Sequence, residues 1–472
     1  MRPWIHAVGL LSLLCAAAGA AASDAGQTCH LPGQRDALRC LRIDVPRDAG
    51  GSETLSLHVA VVPAVRAQAE PDPLFVLAGG PGQAGSDIVF LLDTAFAKVR
   101  ATRDIVFIDQ RGTGRSGRLD CADDPDALAR SDAELQAAAL ACLQGLGNRV
   151  LPYTTAAAAE DLDRARSALG YARINLWGGS YGSRLAQVYA QAHPDHVRSL
   201  ILDGVVDADL LLGANGPEFQ AALDALLDRC ANDADCRRAF PALREQLDAL
   251  LQRLDTTHLT ATLPHPRSGE PLTAPLSRQR LLQTLRFLLY STESSARLPY
   301  LIARADAGDW RPLLALQASS IDLSAAPPAS ALLLALTCRE DWPRLTDALR
   351  AGEAGTRVFG ATALTALDSL CGTLALPPTT LPPLQNLEMP ALLLSGALDP
   401  VTPPARAERA RARLPQAQHV VAAHAGHIVS GQGCSPAVLR RFLDAPTQTV
   451  DAACLAEIAL PAFQTSAAGA AP

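Results

Sequence analysis

Lysine is almost missing from this chain of 472 residues: of its 41 basic side chains only Lys98 is a lysine, and the rest are arginine. Alanine is abundant beside it, so the bias reads as genome-wide base composition and marks no arginine-built site. A basic excess is missing too. Lys+Arg 41 against Asp+Glu 48 gives a formal net charge of −7, which excludes the positive surface that nucleic acid phosphates reward. Beyond the N-terminus no apolar run is long enough to span a bilayer, so no stable membrane insertion is expected. The chain has no CxxC pair, HExxH or comparable ligand cluster, and neither zinc nor another metal is expected. No internal repeat stands out. What is present is globular composition, 49% hydrophobic and 19% charged, in a length that allows one large domain with an insertion or two to three domains.

The N-terminus has the pattern of a secretory leader. Arg2 gives a positive start, Val8–Ala18 an apolar stretch, and Ala20-Ala21-Ala22 a small-residue cleavage site before Ser23. Residues 1–22 are therefore expected to leave as a signal peptide, and the protein to be exported, periplasmic or extracellular. A lipoprotein reading through Cys15 is weaker, because Leu14 stands where a small residue belongs. Losing Cys15 leaves ten of the 11 cysteines, an even number that suits an oxidising compartment. They fall into neighbours along the chain: Cys29/Cys40, Cys121/Cys142, Cys230/Cys236, Cys338/Cys371 and Cys434/Cys454. Five disulfides in that order are predicted, although sequence alone does not fix connectivity.

Short apolar runs rich in Val, Ile and Leu recur at Leu55–Val62, Leu74–Ala78, Ile105–Asp109, Ile174–Trp177, Leu200–Leu202, Ala391–Ser395 and His419–Ala422. Helical stretches such as Thr155–Leu169 and Ser183–Ala192 lie between several of them. Continuous apolar strands alternating with helices predict an α/β architecture, a mostly parallel sheet with helices on both faces. The first run alternates and reads as the start of an antiparallel edge hairpin. From about Asp207 to about Leu387 the strand pattern gives way to helical periodicity, as in Phe219–Cys230 and Ala242–Leu254. The Pro-rich stretch Leu376–Pro383 leads back to strands. The chain thus divides into 23–206 and 388–472, one split domain, around a largely helical insertion at 207–387.

The strongest local signal is Arg173–Trp177, then Gly178-Gly179-Ser180-Tyr181-Gly182, then Ser183–Ala190: strand, G-x-S-x-G, helix. A serine on so tight a turn takes strained dihedrals, and flanking glycines leave room for neighbouring backbone. The helix N-terminus supplies N–H groups and a positive dipole end for a developing oxyanion. A serine hydroxyl needs a base, and the base an orienting acid, in the chain order Ser, Asp, His. Asp399, after the strand Ala391–Ser395, is assigned as the acid and His427 as the base. Asp203 and His424 are rivals; Asp203 reads as structural, and Gly426 suits a tight loop aiming His427. The oxyanion donors are assigned to the N–H groups of Gly80 and Tyr181, with Gly79 as fallback. His193 and His196, in a helix-ending His-Pro context, read as surface residues.

Gly79-Gly-Pro-Gly82, Asp109–Gly117, Gly178–Gly182, Asp399-Pro-Val-Thr-Pro403 and the His427 loop together resemble the α/β-hydrolase serine peptidases that include prolyl aminopeptidases and secreted tripeptidyl aminopeptidases. The likeness is closer to the secreted tripeptidyl type, firm at Leu74–Gly204 and Pro390–Cys454 and looser through the insertion. One departure is Ala78, which stands where the prolyl aminopeptidase pattern has His. The resemblance implies an α/β-hydrolase fold with a helical cap, no cofactor, peptide substrates, and exopeptidase action in which cap acids hold the substrate's α-ammonium. Such an ammonium needs a carboxylate partner. Glu340 is the first candidate and Asp341 the second, in Cys338-Arg339-Glu340-Asp341, with Glu218 weaker; an ion pair with Arg339 or the fold is the plain alternative. Arg111 is expected to buttress the oxyanion loop. Two other readings share the sequence: an exported carboxylesterase with the same triad, and a catalytically inactive hydrolase-fold binding protein. The sequence does not reveal the oligomeric state.

Overall fold

The computed structural model describes residues 26–48, 50–122, 124–265, 268–323 and 329–470. The leader expected over residues 1–22, with Cys15, lies outside them. Among the described residues the strands are β1 (Gln27–Cys29), β2 (Leu38–Pro46), β3 (Thr54–Val62), β4 (Leu74–Leu77), β5 (Ile105–Ile108), β6 (Ile174–Gly179), β7 (Val197–Asp203), β8 (Leu259–Pro264), β9 (Pro271–Leu276), β10 (Ala391–Gly396) and β11 (Ala417–Ala422). Nine of them form one sheet in the order β1-β2-β3-β5-β4-β6-β7-β10-β11. The pairs from β1 to β3 and β3/β5 are antiparallel. From β5 through β4, β6, β7 and β10 to β11 every pair is parallel.

Alternation within single strands shows why both faces are covered. Phe75 and Leu77 of β4 pack with Leu176, Leu162 and Leu185 on one face. Leu74 and Val76 pack with Ile201, Leu394 and Phe442 on the other. The first face is closed by α2 (Thr155–Ala168) and α3 (Tyr181–Ala192), which follow α1 (Asp132–Leu146). Local chemistry starts these helices: Ser131 and Glu134 make a capping box at α1, and the Thr154 hydroxyl accepts the Ala157 N–H at α2.

The chain between β7 and β10 leaves the sheet and builds its own core around Phe219, Leu223, Leu247, Leu285 and Ile302. Its helices include α4 (Gly216–Asn232), α5 (Ala234–Ala239), α6 (Leu243–Thr256) and α7 (Arg278–Leu289). One difference from the sequence reading is the antiparallel hairpin β8–β9 inside this region. Another is that β3 is interior, because β2 and β1 extend the sheet beyond it. Disulfides link Cys29–Cys40, Cys121–Cys142, Cys230–Cys236, Cys338–Cys371 and Cys434–Cys454. No helix among the described residues is long and apolar enough to cross a membrane.

Candidate active site

Parallel strands end at one edge of a sheet, and that edge gathers the candidate residues. Gly79 and Gly80 follow β4, Ser180 follows β6, Gly204 follows β7, Asp399 follows β10 and His427 follows β11. Ser180 has φ 55° and ψ −124°, in the left-handed region that costs a non-glycine residue conformational energy. Its neighbours make the turn possible. A Cβ on Gly178 would lie 2.3 Å from the Gly182 carbonyl oxygen, and one on Gly182 would lie 2.1 Å from that of Leu77. A Cβ on Gly79 would stand 3.0 Å from Ser180 Cβ, so the Gly79–Gly80 turn lies directly against the elbow serine.

Asp203 and Gly204 sit between Ser180 and His427. The Asp203 carbonyl accepts the Ser180 N–H at 2.9 Å. A Cβ on Gly204 would meet His427 Cε1 at 2.9 Å, so only glycine lets the imidazole in so closely. His427 Nδ1 is 2.8 Å from Asp399 Oδ2. Asp399 also accepts from the N–H groups of Val401 and Thr402 at 2.8 and 2.9 Å and from the Thr402 hydroxyl at 2.7 Å. Burial pushes the Asp399 carboxyl up, but His427 and the Thr402 donors outweigh it and hold it below the usual range. Burial likewise pushes His427 down, and the opposing charges of Asp399 and Asp203 carry it above an ordinary imidazole. The rivals have other partners. Asp203 accepts the N–H groups of Val429 and Ser430 at 2.7–3.0 Å and so fixes the His427 loop, while His424 Nδ1 faces the Ile458 carbonyl at 2.8 Å.

A family model of the α/β hydrolase fold matches residues 72–286, and a second, described as TAP-like protein, matches residues 356–454. The chain has the α/β-hydrolase fold. The chain is 30% identical over 224 residues to serine protease Hip1 of Mycobacterium tuberculosis, 42% of each chain. It is 33% identical over 147 residues to tripeptidyl aminopeptidase of Streptomyces coelicolor, 27% of each. With a probable proline iminopeptidase of the same species it shares 33% identity over 207 residues, 41% of this chain and 55% of that one. The matches span about two fifths of the length of the first curated relatives, 40–42%.

The acids expected to meet a substrate amine have partners within the chain. Glu340 is buried, and its oxygens accept the Thr155 N–H at 2.8 Å and the Thr155 hydroxyl at 2.6 Å. That is a carboxylate on the N-terminus of α2, where unpaired N–H groups and the helix dipole favour it. Thr155 Oγ1 also lies 2.8 Å from the Tyr181 hydroxyl. Asp341 takes Arg184 of α3 at 3.1 Å, Arg344 at 3.5 Å and the Leu212 N–H at 3.3 Å. Glu218 is paired with Arg406 and lines a cavity of about 500 Å³ between α4 and the Asp399 loop, whose lining does not include Ser180.

Arg111 corrects a second expectation. Its guanidinium grips Asp161 of α2 through two hydrogen bonds of 2.7 Å and caps the carbonyls of Pro46, Arg47 and Pro152. The support of the Gly79 turn comes instead from the preceding residue: Gln110 Nε2 donates to the Ala78 carbonyl at 3.0 Å. Two more contributors were not singled out in the sequence. The Thr402 hydroxyl lies 3.2 Å from His427 Nδ1 as well as on Asp399. Tyr290, from the insertion, accepts the His427 N–H on its carbonyl at 2.8 Å and sets its ring edge-on to the imidazole, centroids 5.2 Å apart. The spacing Asp399-Pro-Val-Thr402 is a local signal that could have found Thr402; nothing local marks Tyr290.

Proposed function

We propose that this chain is an exported serine aminopeptidase that hydrolyses peptide bonds near the free N-terminus of short peptides. The observation that carries the reading is the 2.8 Å contact of Asp399 with His427 beside an elbow serine in the left-handed region, in a chain whose C-terminal part matches the TAP-like model. Ser180 Oγ attacks the scissile carbonyl while His427 takes its proton, with Asp399 holding the imidazole in the productive tautomer. The N–H groups of Gly80 and Tyr181 receive the oxyanion. His427 returns the proton to the leaving amine, and water cleaves the acyl-enzyme. The insertion at 207–387 lids the site. Glu340 and Asp341 keep their internal partners on this reading.

The deciding experiment compares chromogenic peptides of one, two and three residues, free and acetylated at the N-terminus, with Ser180→Ala as control. Turnover of the free-amine peptides alone, abolished in the variant, is the expected result. Equal turnover of free and acetylated peptides, or turnover of simple esters only, would overturn it.

A further inference from the structure

The end of α3 remote from Ser180 brings together groups that are scattered in the sequence. One donor atom each from Asp163, His193 and His196 lies within 4.8 Å of the other two. His193 closes α3 and His196 ends the short turn Pro194–His196, while Asp163 and Glu160 project from α2 one helical turn apart. The two imidazoles are stacked nearly parallel, 8° between planes and 5.7 Å between centroids.

We propose that this cluster is a binding site for a borderline divalent transition metal, zinc being the representative ion. Imidazole nitrogen with carboxylate oxygen is the donor set such ions prefer. His193 Nε2 lies 3.1 Å from Glu160 Oε1. A carboxylate only accepts, so the neutral ring carries its proton on Nε2 and its lone pair on Nδ1. That nitrogen is 3.9 Å from Asp163 Oδ2. The pattern is the carboxylate–histidine–metal arrangement, in which an outer acid fixes the ligating tautomer. His196 Nδ1 is 2.7 Å from Asp163 Oδ1 and so holds its proton there; it becomes the third ligand by shifting that proton to Nε2 and turning Nδ1 from that oxygen to the ion.

Charge favours a cation here. The C-terminal end of α3 is the negative end of its dipole, and Glu160, Asp163 and the neighbouring Asp195 outnumber Arg166, the one arginine or lysine paired with these acids among the described residues. Arg166 sits on Asp163 Oδ1 at 2.7 Å and more loosely on Oδ2 at 3.3 Å. Tyr189 also takes Oδ1, at 3.1 Å. The ion therefore meets Oδ2, and Arg166 keeps its hydrogen bonds to Oδ1 and to the Tyr171 carbonyl. The sequence holds no local ligand motif because the site draws one acid pair from α2 and the histidines from some 30 residues further on.

The test uses the mature, untagged, chelator-treated protein titrated with zinc chloride in a calorimeter, with thermal unfolding read in parallel. The expected result is one saturable zinc per chain and a rise in Tm. In the His193→Ala, His196→Ala double variant binding should be at least about tenfold weaker, and Asp163→Asn should weaken it too. Should the double variant fold poorly, His193→Gln, which removes only one partly exposed ligand, carries the same comparison. No saturable binding, or equal affinity in wild type and variants, would overturn the site. Hydrolysis by Ser180 is expected to be unchanged in the histidine variants, so this result stands apart from the peptidase reading.

Discussion

Thr402 stands between the two ionisable members of the proposed triad. Its fully buried hydroxyl donates to Asp399 Oδ2 at 2.7 Å and lies 3.2 Å from His427 Nδ1. Replacing it by valine keeps the shape and removes a donor from a buried carboxylate, a loss of about 1–3 kcal/mol where the charge needs it. The expected outcome for Thr402→Val is a kcat about tenfold lower at nearly constant KM, since the hydroxyl orients the base and touches no substrate. A matching rise in KM would contradict that role. The pH profile follows from the same contacts. On the proposed mechanism hydrolysis needs neutral His427, whose pKa is raised, so the acid limb of kcat/KM should fall above the pKa of an ordinary imidazole, about 6.5. Asp399→Asn removes the main raising charge and should move that limb to lower pH, with a rate loss on the order of 10⁴ as the tautomer is lost. A limb that stays in place would detach Asp399 from His427.

At the level of elements, the Cys338–Asp341 turn works as a clamp on two helices. Glu340 holds the N-terminus of α2 and Asp341 holds Arg184 of α3, the helix that begins beside Ser180. Glu340→Ala should therefore lower Tm while leaving unchanged the ratio of KM values for free-amine substrates and for simple esters. A selective rise in KM for free amines would return Glu340 to the amine. The insertion is coupled to His427 in a similar way. A Cβ on Gly426 would lie 2.5 Å from the Tyr290 carbonyl oxygen, the acceptor of the His427 N–H. Gly426→Ala is expected to reduce kcat more than Tm, and a normal kcat would show that the insertion does not position His427. How much of this was legible depends on where each signal resides. Strands β4, β5, β6 and β10 are buried on both faces and announce themselves as apolar runs. Strand β2 alternates Leu41, Ile43 and Val45 with Arg42 and Asp44, solvent on one side, and so presents no continuous apolar run. The elbow serine, Asp399 and His427 each carry local turn chemistry. The partners of Glu340 and Arg111, namely Thr155 and Asp161, are set by packing between distant segments, and no spacing within either motif encodes them.

Across the whole molecule the five disulfides tie loops of 11, 21, 6, 33 and 20 residues. On the loop-entropy account each is worth about 2–4 kcal/mol, and together about 15 kcal/mol, as much as the entire net stability of a typical domain. The native state is then expected to need an oxidising compartment, which agrees with the proposed export. Cys338–Cys371 closes the longest loop and lies beside the clamp on α2 and α3. Cys338→Ala with Cys371→Ala should cost about 3–4 kcal/mol and take activity with it at temperatures where wild type is intact. Full reduction should abolish refolding altogether. The check is a thiol titration of the mature protein before and after denaturation, followed by thermal unfolding with and without reductant. No free thiol in either state and a large fall in Tm on reduction are expected. Ten titratable thiols in the denatured unreduced protein, or a Tm indifferent to reductant, would place the folded chain in a reducing compartment instead.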